Sequence, residues 1–269
     1  MEQATGPVFG VEGEQFRIYD SAKSWNIPYA MGQELWLSDG RRYRFGRMGA
    51  SAAVTGKLYQ SEVPDGNFDT LAVPSSALNV VGSRDLVVTL PASAITKDLW
   101  AGGYAVIEAA AGAGEGRAYK ILSHPASAGS EDVTFRLAAG NGLQTALNTS
   151  DKVTFIKHPG ADLIIHPAPP TALLYGIAAA DIPATDYGWF QYKGPCPVLV
   201  VGTAVIGGGI VATGTVTGSP DGSVEAAGTI ITTTAATIAQ ITELTGALIG
   251  VCMEVAPTTG YTMVMLDMP

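Results

Sequence analysis

The sequence is poor in charged residues, which make up 14% of its 269 positions, against roughly 25% in typical globular domains. Hydrophobic residues reach 47%, and there are 33 glycines. This composition is typical of short β-strands joined by tight turns, under a surface of small neutral side chains. We associate such surfaces with proteins that pack against neighbouring molecules.

Positive charge is especially scarce, because 15 Lys and Arg face 24 Asp and Glu, giving a net charge of −9 and a pI near 4.7. An acidic chain repels phosphate groups, so we expect no nucleic-acid partner. One local exception is the crowding of Arg41, Arg42, Arg44 and Arg47 into a single short segment. We interpret this segment as a charged strand face or as a contact with an acidic partner.

Cysteines and long apolar runs are also few. Cys196 and Cys252 lie in apolar, strand-like contexts, which favours buried free thiols in a reducing cytoplasm over a disulfide framework. No apolar run approaches the roughly 20 residues that span a bilayer, so we expect no membrane partner. The start, MEQA, shows neither the basic nor the apolar region of a secretory signal.

Residues that could carry catalysis do not form a recognisable pattern. His124, His158 and His166 each precede a proline, which favours extended backbone, and none has a second ligand at metal-binding spacing. The GAGEG segment at 112–116 lacks the Gly-Lys-Ser/Thr ending of a phosphate loop and indicates a hairpin tip. The sequence therefore predicts a protein that is not an enzyme, with no catalytic residue, metal or cofactor. Two carboxylates meeting in a cleft stay open as an alternative.

Residues 1–33 show no sustained periodicity, yet they are rich in aromatic side chains. A disordered tail would carry fewer aromatics. We expect an extended N-terminal arm that lies on another surface, either of its own domain or of a neighbour. Its candidate contact residues are Phe16, Tyr19, Trp25 and Tyr29.

Residues 34–77 form a first β segment, which could join the C-terminal module. Asp39-Gly40 predicts a two-residue hairpin turn between strand-forming segments. In that register Trp36 faces Tyr43, and Glu34 faces Phe45. A further strand is expected over 53–62.

The rest of the chain indicates two more β modules separated by a linker. A middle β-barrel-like module spans 78–158, with strands expected at 85–90, 104–109, 118–123, 133–138 and 152–157. Residues 159–185 hold five prolines and are expected to form a linker. A C-terminal β module covers 186–269, with a helix or a strand at 235–245. The predicted fold is all-β, with two to three small β-barrel or sandwich-like modules and an extended N-terminal arm.

Several short segments resemble virion proteins of tailed bacteriophages that decorate, cement or stabilise the head. In the C-terminal third these segments are YGIAAADIPA (175–184), YGWFQYKGP (187–195), GTAV (202–205) and IGVCMEV (249–255). In the middle module they are WAGGY (100–104), GEGRAYKI (114–121) and SHP (123–125). The resemblance spans roughly residues 34–269, and it carries over no catalytic residues.

This resemblance implies a non-enzymatic protein that binds the outer surface of an assembled phage capsid and stabilises it. The implied partners are the major capsid protein and further copies of the chain itself, as a homotrimer or a dimer. The implied location is the virion, after assembly in the host cytoplasm. The alternative is another virion component, such as a tail, baseplate or glycan-binding spike protein. The expected interface residues are Phe16, Tyr19, Trp25, Tyr29, Arg41, Arg42, Arg44 and Arg47.

Overall fold

The computed structural model describes residues 8–10, 18–22, 29–108, 116–140, 142–213, 219–227, 248–256 and 258–269. Strands hold 43% of the residues and helices 2%, so the predicted all-β class is confirmed. The chain divides into two compact units. Unit 1 comprises Met1–Val63 and Pro159–Pro269, and unit 2 comprises Pro64–His158.

Unit 2 is a closed barrel of six strands, which follow one another around the barrel in the order Lys152–Ile156, Leu71–Ala72, Asp85–Thr89, Asp132–Leu137, Ala118–Ser123 and Tyr104–Ile107. A 3₁₀ turn, Gly66–Phe68, lies just before the first barrel strand. The strands of the barrel are β5 (Leu71–Ala72), β6 (Asp85–Thr89), β7 (Tyr104–Ile107), β8 (Ala118–Ser123), β9 (Asp132–Leu137) and β10 (Lys152–Ile156).

Alternation of side chains explains why these segments form a barrel. In β9, Val133, Phe135 and Leu137 are buried, while the residues between them are exposed, as expected where one sheet face is solvated. Aromatic rings fill the interior, with Phe135 and Phe155 centroids 4.2 Å apart and Phe68 and Trp100 centroids 4.5 Å apart. The five strands expected between 78 and 158 all occur here. The unit begins earlier than expected, because β5 completes the barrel.

Unit 1 is built on an eleven-stranded sheet. Its strands are β1 (Val8–Gly10), β2 (Glu34–Leu37), β3 (Arg42–Arg47), β4 (Leu58–Gln60), β11 (Ile164–Ile165), β12 (Leu174–Ala178), β13 (Tyr187–Val201), β14 (Gly209–Ala212), β15 (Val224–Ala226), β16 (Leu248–Cys252) and β17 (Gly260–Asp267). Segments 34–63 and 186–269 share this sheet, since β3 pairs with β13.

The long strand β13 organises unit 1. Its first half pairs with β3 and β12, and its second half pairs with β17 and β15. Further pairs join β15 to β14, β14 to β16, and β16 to β17. Strands β13, β15, β14, β16 and β17 therefore close a five-stranded ring around an apolar core that includes Val198, Ile210 and Val264.

The proline-rich segment 159–185 differs from the expected linker, because it contributes β11 and β12 to the sheet. All five residues of β12 are buried, and this strand pairs with both β4 and β13. The prolines of the segment lie at or before position 170, or at 183. They leave 171–182 able to donate backbone hydrogen bonds to neighbouring strands.

The hairpin of β2 and β3 forms where expected, but its predicted register is wrong by one residue. Glu34 faces Arg44, and Trp36 faces Arg42. The turn has three residues rather than two, because the Leu37 amide donates to the Arg41 carbonyl, and the Gly40 amide to the Leu37 carbonyl. Gly40 has a φ of +89°, the left-handed conformation that ends a three-residue hairpin loop.

Candidate partner-binding surfaces

The arginine-rich strand β3 places its side chains on two different faces. Tyr43 and Phe45 point into a buried cluster, so Arg42 and Arg44 lie on the opposite face. The Arg42 guanidinium carbon lies 4.0 Å from the ring centroid of Trp36, and that of Arg44 lies 4.0 Å from the ring centroid of Tyr192. We call Trp36, Arg42, Arg44 and Tyr192 the arginine–aromatic face; Tyr192 itself is buried and supports Arg44 from below.

Glu34 holds this face together. Its carboxylate accepts a 3.0 Å hydrogen bond from the Trp36 indole and lies 4.0 Å from the Arg44 guanidinium. Ion pairs at a part-exposed site contribute little net stability. The arrangement instead fixes the orientation of an indole and a guanidinium, the two side-chain types most enriched at interface hot spots together with tyrosine.

Arg41 and Arg47 are bound to carboxylates of their own chain. Arg41 donates from its Nε to Asp39 at 2.7 Å and from its backbone amide at 3.1 Å. Although burial opposes it, hydrogen bonding from Arg41 lowers the pKa of Asp39. Arg47 pairs with Asp162. Each arginine of the expected basic segment therefore has a partner within the chain. Arg41 and Arg47 bind carboxylates, and Arg42 and Arg44 stack on aromatic rings.

Two of the four arm residues can be placed, while Phe16 and Trp25 lie outside the described residues. Tyr19 is 58% exposed, next to the buried Ile18. Tyr29 packs on its own unit, with its ring 5.4 Å from Phe45 and 5.0 Å from Trp189. The described part of the arm thus lies on unit 1, and Tyr19 is its outward-facing aromatic.

A pocket of about 290 Å³ lies beside β13, next to the start of β3 at Arg42. The two strands part at Gly194, whose φ is +86° and whose missing Cβ allows the Arg41 backbone to approach closely. Pro195 and Pro197 line the pocket. The amide of Leu199 donates to Gly56 on one side of β13, and alternate residues direct their amides to the same side. The prolines therefore leave no unpaired amide facing this gap.

The polar groups of the pocket stay neutral or paired at neutral pH. Burial raises the pKa of the Cys196 thiol to about 12, so it is not a reactive thiolate. Burial also raises the pKa of Tyr43 well above its usual range. The Arg41 guanidinium is already bound to Asp39. The pocket is therefore suited to an apolar group rather than to acid–base or nucleophilic chemistry.

An apolar surface covers part of the outside of the five-stranded ring. Val251 faces Met265, which in turn faces Pro195, so one row crosses β16, β17 and β13. Val251 and Met265 are 40% and 43% exposed. In the adjacent row the Met253 amide donates to the Met263 carbonyl, and Met263 faces Pro197. We call these six residues the apolar outer face.

The histidines have structural contacts. His124 accepts a hydrogen bond from the Trp100 amide at 3.1 Å, and His166 donates to the Ser223 carbonyl at 2.7 Å. Burial and nearby Lys120 lower the pKa of His158 to about 4.

Within the described residues no cluster of three metal-ligating side chains occurs. The same part of the chain contains no helix long and apolar enough to cross a membrane.

Comparisons with protein-family models, with curated proteins and with solved structures gave no match.

Sequence reasoning missed Trp36 and Tyr192 as partners of the arginines, and it missed the apolar outer face. The pairing of Trp36 with Arg42 depends on a hairpin register that the Asp-Gly signal did not reveal. The apolar outer face had a visible signal in β17, where Tyr261 and Met265 are outward and Thr262, Val264 and Leu266 are buried. Apolar residues at both alternating positions of one strand indicate that each face meets an apolar surface.

Proposed function

We propose that this chain is a non-enzymatic virion protein that binds the outer surface of an assembled phage capsid and stabilises it. The observation that carries the proposal is the arginine–aromatic face, in which Arg42 and Arg44 are stacked on Trp36 and Tyr192. Arg, Trp and Tyr dominate protein–protein hot spots. Their fixed orientation reduces the side-chain entropy that binding would otherwise cost.

The resemblance of segments in both units to head-decorating phage proteins supports the same proposal. A capsid under internal pressure gains stability from any protein that binds only the assembled lattice, because such binding shifts the equilibrium by mass action. The major capsid protein is the proposed partner, and self-association of the chain is part of the proposal. Repeated copies add avidity without requiring new kinds of contact.

The test is binding of the purified full chain to expanded heads that lack it, compared with binding to free major capsid subunits. We expect saturable binding to heads alone and greater resistance of the heads to heat. Trp36→Ala and Arg42→Ala should each weaken binding by at least about tenfold, as expected for hot-spot residues. Arg136→Ala, which removes an exposed ion pair with Asp85 in unit 2, is the matched control.

The arm is tested by a point substitution rather than by deletion. Ile18 is buried and Ala22 forms a backbone bridge to Tyr187, so removing residues 1–30 would also disturb unit 1. Tyr19→Ala removes a ring that is 58% exposed and that borders the pocket beside Arg41, and it should reduce occupancy on heads if the arm contacts the shell. Absence of wild-type binding to heads would overturn the proposed function and favour a tail or glycan-binding role.

A further inference from the structure

The apolar outer face consists of paired positions on three adjacent strands. Val251, Met265 and Pro195 form one row, and Met253, Met263 and Pro197 form the next. Monomeric proteins rarely expose large contiguous apolar patches without a partner. These positions belong to regular pairings within β13, β16 and β17, so the side chains are held in place rather than scattered over loops.

The face continues at one end of the ring. A backbone bridge joins Ala204 to Ala256, which brings the turn containing Val205 and Ile206 beside Val255. Val205 and Ile206 are 61% and 67% exposed. These residues add exposed apolar side chains beside the six residues of the face.

The charge on this surface identifies its occupant. None of the six residues of the face is charged. At its rim Lys193 is neutralised by Asp267 at 2.6 Å, and the Glu254 carboxylate accepts a hydrogen bond of 2.9 Å from the Met263 amide. The whole chain carries a net charge of −9, so two copies repel each other wherever charged surfaces meet. A neutral apolar face is where copies of an acidic chain can approach at the lowest electrostatic cost.

The closed ring also limits the mode of association. Strands β16 and β17 each have a neighbour on both sides within the ring, and β13 presents Pro195 and Pro197, which have no amide to donate, to the gap beside it. Both features disfavour the addition of a partner strand by backbone pairing. Contact must come from side chains packing face to face. The pocket beside β13 adjoins this surface, since Pro195, Pro197 and Met263 line both, and a recess of this kind is where interface hot spots form.

We propose that the apolar outer face packs against a second copy of this chain, with the adjoining pocket accepting one of that copy's apolar side chains. This deepens the proposed function by naming the self-association surface, and it rests on that function only for its biological role. The association itself is a property of the free chain.

The test is the molar mass of the full chain in the absence of heads, measured by analytical ultracentrifugation over a range of concentrations. We expect the wild type to form a multiple of 27.7 kDa. Val251→Glu and Met265→Glu should each weaken self-association by at least about tenfold, because an unpaired carboxylate would be buried in the contact. Leu122→Glu, at an exposed apolar position of β8 in unit 2, should leave the mass unchanged.

Circular dichroism and thermal unfolding of each variant establish that it is folded. A wild type that stays monomeric at every concentration overturns the inference, as does a folded Met265→Glu variant with unchanged mass. Head binding is measured separately. Monomers that still bind heads would refute the inference alone, whereas oligomers that ignore heads would refute only the capsid role.

Discussion

The side-chain amide of Gln191 donates a hydrogen bond of 2.9 Å to the backbone carbonyl of Pro195, within the same strand. It also donates to the Lys193 carbonyl at 3.1 Å. These carbonyls lie beside the gap that precedes the start of β3 at Arg42, so Gln191 satisfies backbone acceptors that a neighbouring strand would otherwise pair. The amide thus allows β13 to run unbroken from its pairing with β3 and β12 to its pairing with β17 and β15.

Replacing this amide should destabilise unit 1. Gln191 is buried, so Gln191→Leu leaves two part-buried carbonyls without this donor and should lower the free energy of unfolding by about 1–3 kcal/mol. Urea denaturation measures the change. Gln144→Leu is the control, because that amide makes one exposed hydrogen bond to Gly142 and its loss should cost less than about 0.5 kcal/mol. Equal losses in both variants would contradict this account.

The hairpin turn should require glycine at position 40 because of its backbone conformation, and not because neighbouring atoms leave no room for a side chain. No atom lies within 4 Å of a Cβ built at Gly40, but its φ is +89°. Gly40→Ala should therefore cost about 1 kcal/mol through backbone strain, measured by denaturation, and Gly40→Asn should cost less. Gly66→Ala, also in open space but without a positive φ, should be nearly neutral. A neutral Gly40→Ala would refute the three-residue turn.

Stability should fall as the pH is lowered from about 6.5 to about 4, in part because of His158. Its pKa is about 4 in the folded chain, against an ordinary value of 6.5, so the unfolded state binds the proton first in this range. The contribution is fully present above pH 6.5 and is lost as the pH approaches 4. Each unit of difference in pKa corresponds to about 1.4 kcal/mol. Because His158 is partly exposed, solvent screening reduces the total, and we expect a loss on the order of 2 kcal/mol.

Comparison with His158→Gln isolates this effect from the titration of carboxylates. Unfolding free energies of both proteins are measured at intervals between pH 7 and pH 4, and their difference is followed. The difference should shrink in the acidic range as the wild type loses the contribution. A constant difference across the range would remove His158 as the cause.

The two cysteines should be slow to react while the chain is folded. Cys196 and Cys252 are both buried and free, as the sequence predicted, and the pKa of Cys196 is about 12. Labelling by a disulfide reagent should be slow in the native state and fast in denaturant, with little acceleration up to pH 9. Leu122→Cys supplies an exposed control thiol. Native cysteines that react as fast as this control would contradict the described burial.

The sequence predicted five of the six strands of unit 2, all except β5 (Leu71–Ala72), because these elements are short and bounded by turn residues. Strict alternation, as in β9 (Asp132–Leu137), added to the signal. The sequence did not predict β12 (Leu174–Ala178), since a strand buried on both faces shows no alternation, and nearby prolines suggested a linker. Strand β13 (Tyr187–Val201) runs unbroken through Pro195 and Pro197, although prolines are normally excluded from strand interiors. Only the gap beside β13 makes those prolines acceptable.

The candidate site was predicted less well than the fold, because its parts are distant in sequence or depend on register. The arginine cluster was visible, but a one-residue change in the turn decides whether Trp36 meets Tyr43 or Arg42. Tyr192 reaches Arg44 only through the pairing of β13 with β3. Long-range pairing of this kind is set by the whole sheet and not by local propensity.

The insertion of unit 2 into unit 1 has a practical consequence for engineering. The chain leaves unit 1 after Val63 and returns at Pro159. Gln60 pairs with Ile164 across β4 and β11, so the two junctions start from neighbouring positions of one sheet. Because closing a short loop between neighbouring strand ends costs little entropy, a compact linker can replace residues 64–158. The same junctions then offer a graft point at which a foreign domain can be carried by unit 1.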